Sequence, residues 1–261
     1  MNKPIGLFDS GVGGLTVLTS LMKELPQEDI IYIGDNQHCP YGDKTKEQLL
    51  SYTKDICQYF VDRDVKMIVL ACNTTSANVL SELQALFPQV PIVGVIHSTV
   101  HDFLIRHHKR VLIIATNATI QSHKYKEMIH HYDQSVEVYE LATPALVPLI
   151  ESGDYKQGIH PVLKEYLQPY HDKVDSIILG CTHYPIVLDQ IQHVFPLKDY
   201  VSSSDSVCQE VSSYLKVHHC KCEEKHERYI EIYTTGDVRE FFHSSQGFFD
   251  YQELQVEHLD L

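Results

Sequence analysis

Ile68-Val69-Leu70-Ala71-Cys72-Asn73-Thr74 and Ile177-Ile178-Leu179-Gly180-Cys181-Thr182-His183 are two versions of one pattern. A run of aliphatic residues ends on a small residue, then a cysteine, then side chains that cap helices. A continuous apolar run of this length fits a strand buried on both faces. Each cysteine then falls at the carboxyl end of such a strand, where open α/β sheets hold their ligands. Because the pattern occurs once in each half, two thiols can face one ligand from opposite sides. That geometry suits removal of a proton from one face of a carbon and delivery of a proton to the other.

Similar apolar runs at 5–8, 30–33, 92–95, 111–115, 136–139 and 229–233 read as further strands. Amphipathic stretches at 15–25, 45–61, 77–86, 120–131, 159–167, 186–194 and 206–215 separate them. This alternation predicts an α/β fold of two similar lobes, each a mostly parallel sheet flanked by helices, with the site in the cleft between them. A weak internal duplication supports the two lobes. Gly6-Leu7-Phe8-Asp9-Ser10-Gly11 has a counterpart in Ile113-Ile114-Ala115-Thr116-Asn117-Ala118, and the two cysteine strands correspond. The expected division is 1–96 plus 205–261 for the first lobe and 97–204 for the second.

Composition narrows the function classes. The chain has 261 residues, 43% hydrophobic and 21% charged, as expected for a globular protein. No stretch reaches the ~18 apolar residues of a membrane span. The opening Met1-Asn2-Lys3-Pro4 leads into a strand without a signal-peptide core, so a cytoplasmic location is expected. Seven cysteines, an odd number without a secreted framework, read as free thiols. A net charge of −14 without a Lys/Arg stripe argues against nucleic acid as a partner. An anionic ligand would rely on backbone N–H groups at helix starts.

Three further elements can carry chemistry. Asp9-Ser10-Gly11-Val12-Gly13-Gly14 joins a strand to a helix and is neither a P-loop nor a dinucleotide fingerprint. Its glycines allow close backbone approach to a ligand, and its plain alternative is a structural turn capped by Asp9. Pro40-Tyr41-Gly42 fixes a turn after the second strand, with an ordinary surface loop as the alternative. After each cysteine a helix start favours the thiolate and predicts a lowered thiol pKa. The alternative for a buried cysteine is inert packing, but two in equivalent places favour function. His183 is a proton partner for Cys181, Thr119 a donor to a carboxylate, and Glu151 a group that can orient His183 from within a cleft. His218-His219-Cys220-Lys221-Cys222 lacks the spacing of a zinc site and reads as a polar loop, so no metal is expected.

Taken together, these motifs resemble the glutamate racemase family of the cofactor-independent aspartate/glutamate racemases. The resemblance covers essentially the whole chain. It rests on Phe8-Asp9-Ser10-Gly11-Val12-Gly13-Gly14, Pro40-Tyr41-Gly42, Ala71-Cys72-Asn73-Thr74, Gly180-Cys181-Thr182-His183-Tyr184-Pro185 and Thr235-Gly236-Asp237. It implies interconversion of L- and D-glutamate without pyridoxal phosphate or another cofactor, supplying D-glutamate for peptidoglycan. It implies Cys72 and Cys181 as the two bases, Asp9 working near Cys72 and His183 supporting Cys181. Ser10, Pro40, Tyr41, Gly42, Asn73, Thr74, Thr119 and Thr182 match substrate-binding positions, and a homodimer is the implied assembly. The chain departs from the family pattern at His97-Ser98-Thr99, which touches the expected hinge, and at Thr143, where many members carry cysteine. The rival readings are an aspartate racemase, a Cys-His hydrolase or transferase working through one thiol, and a non-catalytic amino-acid-binding protein.

Overall fold

Among the described residues, ten strands fall into two separate sheets, one built from both ends of the chain and one from its middle. The computed structural model describes residues 3–153, 155–196, 199–222, 226–251 and 255–261. Met1 and Asn2, part of the reading of the chain's start, lie outside them.

The first sheet begins with β1 (Ile5–Asp9), β2 (Ile30–Gly34), β3 (Met67–Leu70) and β4 (Ile92–Gly94). Among them run α1 (Leu15–Glu24), α2 (Lys46–Asp62), α3 (Asn73–Asn78) and α4 (Leu80–Leu86), and α5 (Val95–Ile105) follows β4. The second sheet holds β5 (Arg110–Ala115), β6 (Glu137–Ala142), β7 (Ser176–Gly180) and β8 (Asp199–Ser202). Its helices are α6 (Asn117–Gln121), α7 (Lys124–Tyr132), α8 (Leu146–Glu151), α9 (Tyr155–Leu167) and α10 (Leu188–Val194). After α11 (Ser203–Val217) the chain returns to the first sheet through β9 (Ile230–Thr234), α12 (Val238–Ser245) and β10 (Val256–His258).

Strand order is β10-β9-β2-β1-β3-β4 in the first sheet and β6-β5-β7-β8 in the second. Every pairing is parallel. The order 2-1-3-4 therefore recurs as 6-5-7-8, with β3 and β7 in the same place. This is the duplication read in the sequence, now expressed as topology.

Alternate residues of the strands serve opposite faces, as the pleat dictates. Ile5 and Leu7 join a core with Leu18 of α1 and Val211 of α11, while Phe8 packs with Ile56 and Phe60 of α2. In the second sheet Leu112 and Ile114 pack with Leu163 of α9, and Val111 and Ile113 with Val100 and Phe103 of α5. Burial on both faces is why these strands read as unbroken apolar runs. Capping fixes where helices start. Thr45 and Gln48 form a reciprocal capping box at α2, and Thr116 caps α6.

Two expectations need correction. The residues 92–95 read as strand end at Gly94, and Val95 opens α5. His97-Ser98-Thr99 lies inside that helix, where the Ser98 and Thr99 hydroxyls donate to the Val95 carbonyl at 3.1 and 2.6 Å. The short strands β8 and β10 were not read at all. Among the described residues, no helix is long and apolar enough to cross a membrane.

Candidate active site

Cys181 directly follows β7 and Cys72 follows β3 after Ala71, at equivalent corners of the two sheets. Each is nearly buried, at 4% and 6% exposure, and both line one cavity. The cavity is narrow: a water-sized sphere can centre itself in about 70 Å³ of it. Local packing dictates the residue before Cys181. A Cβ on Gly180 would fall 2.9 Å from the Ile114 carbonyl oxygen, so only glycine fits between the strands there.

Of the residues singled out in the sequence, Ser10, Pro40, Tyr41, Gly42, Asn73, Thr74, Thr182 and His183 face this cavity beside the cysteines. Asp9, Thr119 and Glu151 stand behind its wall. Cys39, Asp43, Thr116, Asn117, Thr143, Pro144, Val147, Pro148 and Gly180 complete the lining, and among the described residues no lysine or arginine belongs to it. Cys39 and Val147 carried no readable signal, since one looks like a loop residue and the other like helix core. In the sequence Thr143 stands out only as a departure from the family pattern; its hydroxyl meets that of Tyr184 at 2.5 Å.

The surroundings of the two thiols differ. Beside Cys72 lies the fully buried Asp9, whose carboxylate accepts from the Gly11 N–H and the Thr182 hydroxyl, both at 3.1 Å. Burial raises the Asp9 pKa from 3.8 to about 6, against the pull of His183 and these hydrogen bonds. Burial, then the charge of Asp9, pushes the Cys72 thiol up to about 11. Hydrogen bonds from Thr75 and Ser10 oppose this but do not win. The expected lowering of this thiol by its helix start is thus overturned: desolvation outweighs the few N–H groups of a six-residue helix.

Beside Cys181 the polar side chains form a connected row. Cys181 Sγ lies 3.6 Å from His183 Nδ1, and His183 Nε2 lies 2.8 Å from Glu151 Oε1. Burial alone would lower the His183 pKa, but Cys181 and Glu151 outweigh it and hold it well above the ordinary value. Glu151 shifts down in turn, because its hydrogen bond and attraction to His183 overcome its burial. The Cys39 thiol donates to the same Glu151 oxygen at 3.7 Å.

Hydroxyls and amides form the rest of the wall. Thr74, Thr116 and Thr119 make a triangle with oxygens 2.9 to 3.3 Å apart. Thr119 therefore meets the cavity only through the other two. Asn73 is held between the Tyr125 hydroxyl and Ser203, at 2.5 and 3.3 Å. The Tyr41 hydroxyl is committed to Asp35, away from any ligand, at 2.5 Å.

Elsewhere, Cys222 Sγ lies 3.6 Å from His226 Nδ1. Among the described residues, no group of three or more His, Cys, Asp or Glu side chains is placed to hold a metal ion.

Comparison with known proteins identifies the family. Residues 16–208 match the model of the Asp/Glu/hydantoin racemase family. The chain is 39% identical to the glutamate racemase of Shouchella clausii over 92% of its own length and 88% of that protein's. The crystal structure of a glutamate racemase isoform from Bacillus anthracis superposes with a TM-score of 0.93 at 32% identity, covering 99% of this chain and 98% of that one. Glutamate racemase from Francisella tularensis, solved in complex with D-glutamate, gives a TM-score of 0.90 at 34% identity, covering 100% and 97%. The chain thus belongs to the Asp/Glu/hydantoin racemase family, as one of its glutamate racemases.

Proposed function

We propose that this isomerase interconverts L- and D-glutamate by moving protons on and off opposite faces of Cα, with Cys72 and Cys181 as the two carriers. The observation that carries the reading is the shared cavity with one thiol at the equivalent strand end of each sheet. One thiolate takes the α-proton as the opposite neutral thiol gives its own, so the charge moves from one sulfur to the other. A single turnover inverts the centre and leaves the pair ready for the reverse reaction.

The α-proton of an amino acid is far less acidic than a thiol, so a thiolate alone cannot do this. Orientation between two fixed sulfurs supplies much of the difference, up to ~7–11 kcal/mol for well-placed groups. Hydroxyls and N–H groups around the cavity stabilise charge that spreads onto the α-carboxylate. Asp9 and His183 serve as proton partners for Cys72 and Cys181, and Glu151 keeps His183 charged and oriented. Ser10, Asn73, Thr74, Thr182 and the turn Pro40-Tyr41-Gly42 bind the substrate, with Thr119 bracing Thr74. Neutral donors replace an arginine clamp, in keeping with the lining of the cavity.

The lobes in this scheme are 1–96 plus 205–261 and 97–204, and the working assembly is a homodimer in the cytoplasm. The product serves peptidoglycan synthesis. Incubating the purified protein with L-glutamate, and separately with L-aspartate, and resolving the isomers by chiral chromatography tests the assignment. D-glutamate should form with D-aspartate near background. Aspartate turned over faster than glutamate would reverse the substrate choice.

A further inference from the structure

The segment Thr235-Gly236-Asp237 matched the family pattern in the sequence, yet none of it lines the cavity. It follows β9, on the far side of β2 from β3, the cysteine strand of that sheet. Asp237 is accounted for, since its carboxylate caps α12 through the Arg239 and Glu240 N–H groups. Thr235 is not, and its surroundings point toward the site.

The Thr235 hydroxyl donates to Asp35 Oδ1 at 2.5 Å and accepts from the Gln37 N–H at 3.2 Å. Its own N–H donates to the Gly34 carbonyl at 3.1 Å. Gly236 sits so close that a Cβ there would fall 2.8 Å from Asn36 Cβ. The strand end thus clasps the start of the loop that follows β2. Asp35 is the centre of the clasp, 1% exposed. Its other oxygen accepts the Tyr41 hydroxyl at 2.5 Å, and His38 Nδ1 lies 2.9 Å from it. From there the chain forms the cavity wall, Cys39 to Asp43.

We infer that Thr235 is a positioning residue for the substrate-binding loop: its hydroxyl fixes the Asp35 carboxylate, which in turn fixes Tyr41 and the turn around it. A buried carboxylate that loses one of its donors is held less firmly in place. The cavity wall then loosens while both thiols and their partners, which hang from β1, β3 and β7, stay in place. The consequence is weaker substrate binding with the proton-transfer step preserved. This rests on the racemase reading of the site, and wild-type turnover of glutamate tests that reading by itself.

The test compares Thr235→Val, Thr235→Ser and wild type in steady-state racemisation and in amide hydrogen exchange of the peptide spanning residues 36–43. Thr235→Val should raise KM for both glutamate isomers about tenfold and leave kcat within about twofold. It should speed exchange in 36–43, and Thr235→Ser should restore both. Combining Thr235→Val with Tyr41→Phe should raise KM little beyond either change alone, because both act through Asp35. An unchanged KM with unchanged exchange overturns the inference. So does a fall in kcat and thermal stability that serine does not rescue. If the wild type turned over no glutamate, the exchange readout alone would decide for or against the brace.

Discussion

The Thr182 hydroxyl donates to Asp9 Oδ2 at 3.1 Å, so the residue after the second cysteine holds the carboxylate beside the first. Asp9 ends β1 and Thr182 follows β7, so the bond joins the two sheets. Protonation on one side of the cavity is thereby linked to geometry on the other. The Thr182 bond is one of the forces lowering the Asp9 pKa. Thr182→Val should therefore raise it further and move the acidic limb of the kcat/KM profile to higher pH. A profile that keeps its acidic limb would disconnect Asp9 from catalysis.

Gly13 lies where the two sheets meet. A Cβ at this position would fall 2.5 Å from both His183 Nδ1 and Thr182 Oγ1. Both are atoms the proposed mechanism needs in place, so neither can yield without cost. Gly13→Ala should lower kcat on the order of 100-fold, the penalty of a ~1 Å misplacement, with the chain still folded by circular dichroism. Near-normal turnover would mean that this junction has slack.

Asp9 also sets a stability gradient. Its folded pKa of about 6 exceeds its ordinary 3.8, so between those values the folded chain keeps a proton that the unfolded chain has lost. The stabilisation from that proton is complete below 3.8 and is lost as pH rises through about 6. Above pH 7 the buried charge costs about 3 kcal/mol, taking the 2.2-unit difference at ~1.36 kcal/mol per unit. Asp9→Asn should be inactive yet more stable than the wild type by up to that amount. Denaturant titrations should show the advantage growing from about pH 4, steepest between about 4 and 6, and levelling off above about 7. A variant less stable at every pH would contradict the burial argument.

In the proposed scheme Glu151 acts through His183. Its charge, with Cys181, holds the His183 pKa above the ordinary value. Glu151→Gln keeps a hydrogen-bonding group but removes that charge, so the His183 pKa should fall. The alkaline limb of kcat/KM should then move to lower pH, with kcat down about tenfold at its optimum. A uniform loss of rate with an unmoved profile would assign Glu151 a packing role instead.

Much of this architecture is legible in the sequence because the central strands are buried on both faces. β3 and β7 stand out as apolar runs, and the residues on either side of each cysteine mark the strand-to-helix corner. The edges of the sheets are harder to read. β8, Asp199-Tyr200-Val201-Ser202, and β10, Val256-Glu257-His258, have one face open, so polar residues dilute the pattern. α5 is obscured by His97 and His101 on its outer face, although its inner residues Val100 and Phe103 are fully buried. Within the site, residue types announced themselves where the backbone turns sharply. Cys39 and Val147 reach the cavity only through tertiary packing, which no local pattern encodes. The Cys72 pKa follows the same rule: the helix start is visible in sequence, but the burial that outweighs it is not.

The two-thiol scheme is tested most directly by incubating L-glutamate in D₂O with the purified wild type, Cys72→Ser and Cys181→Ser, following Cα deuteration by NMR beside chiral analysis. In the wild type, newly formed D-glutamate should carry deuterium at Cα from the earliest time points, because the proton delivered comes from the opposite thiol. Each serine variant should racemise on the order of 10³-fold more slowly. D-glutamate that retains the original α-proton, or either serine variant at near wild-type rate, would contradict proton transfer between two opposed sulfurs.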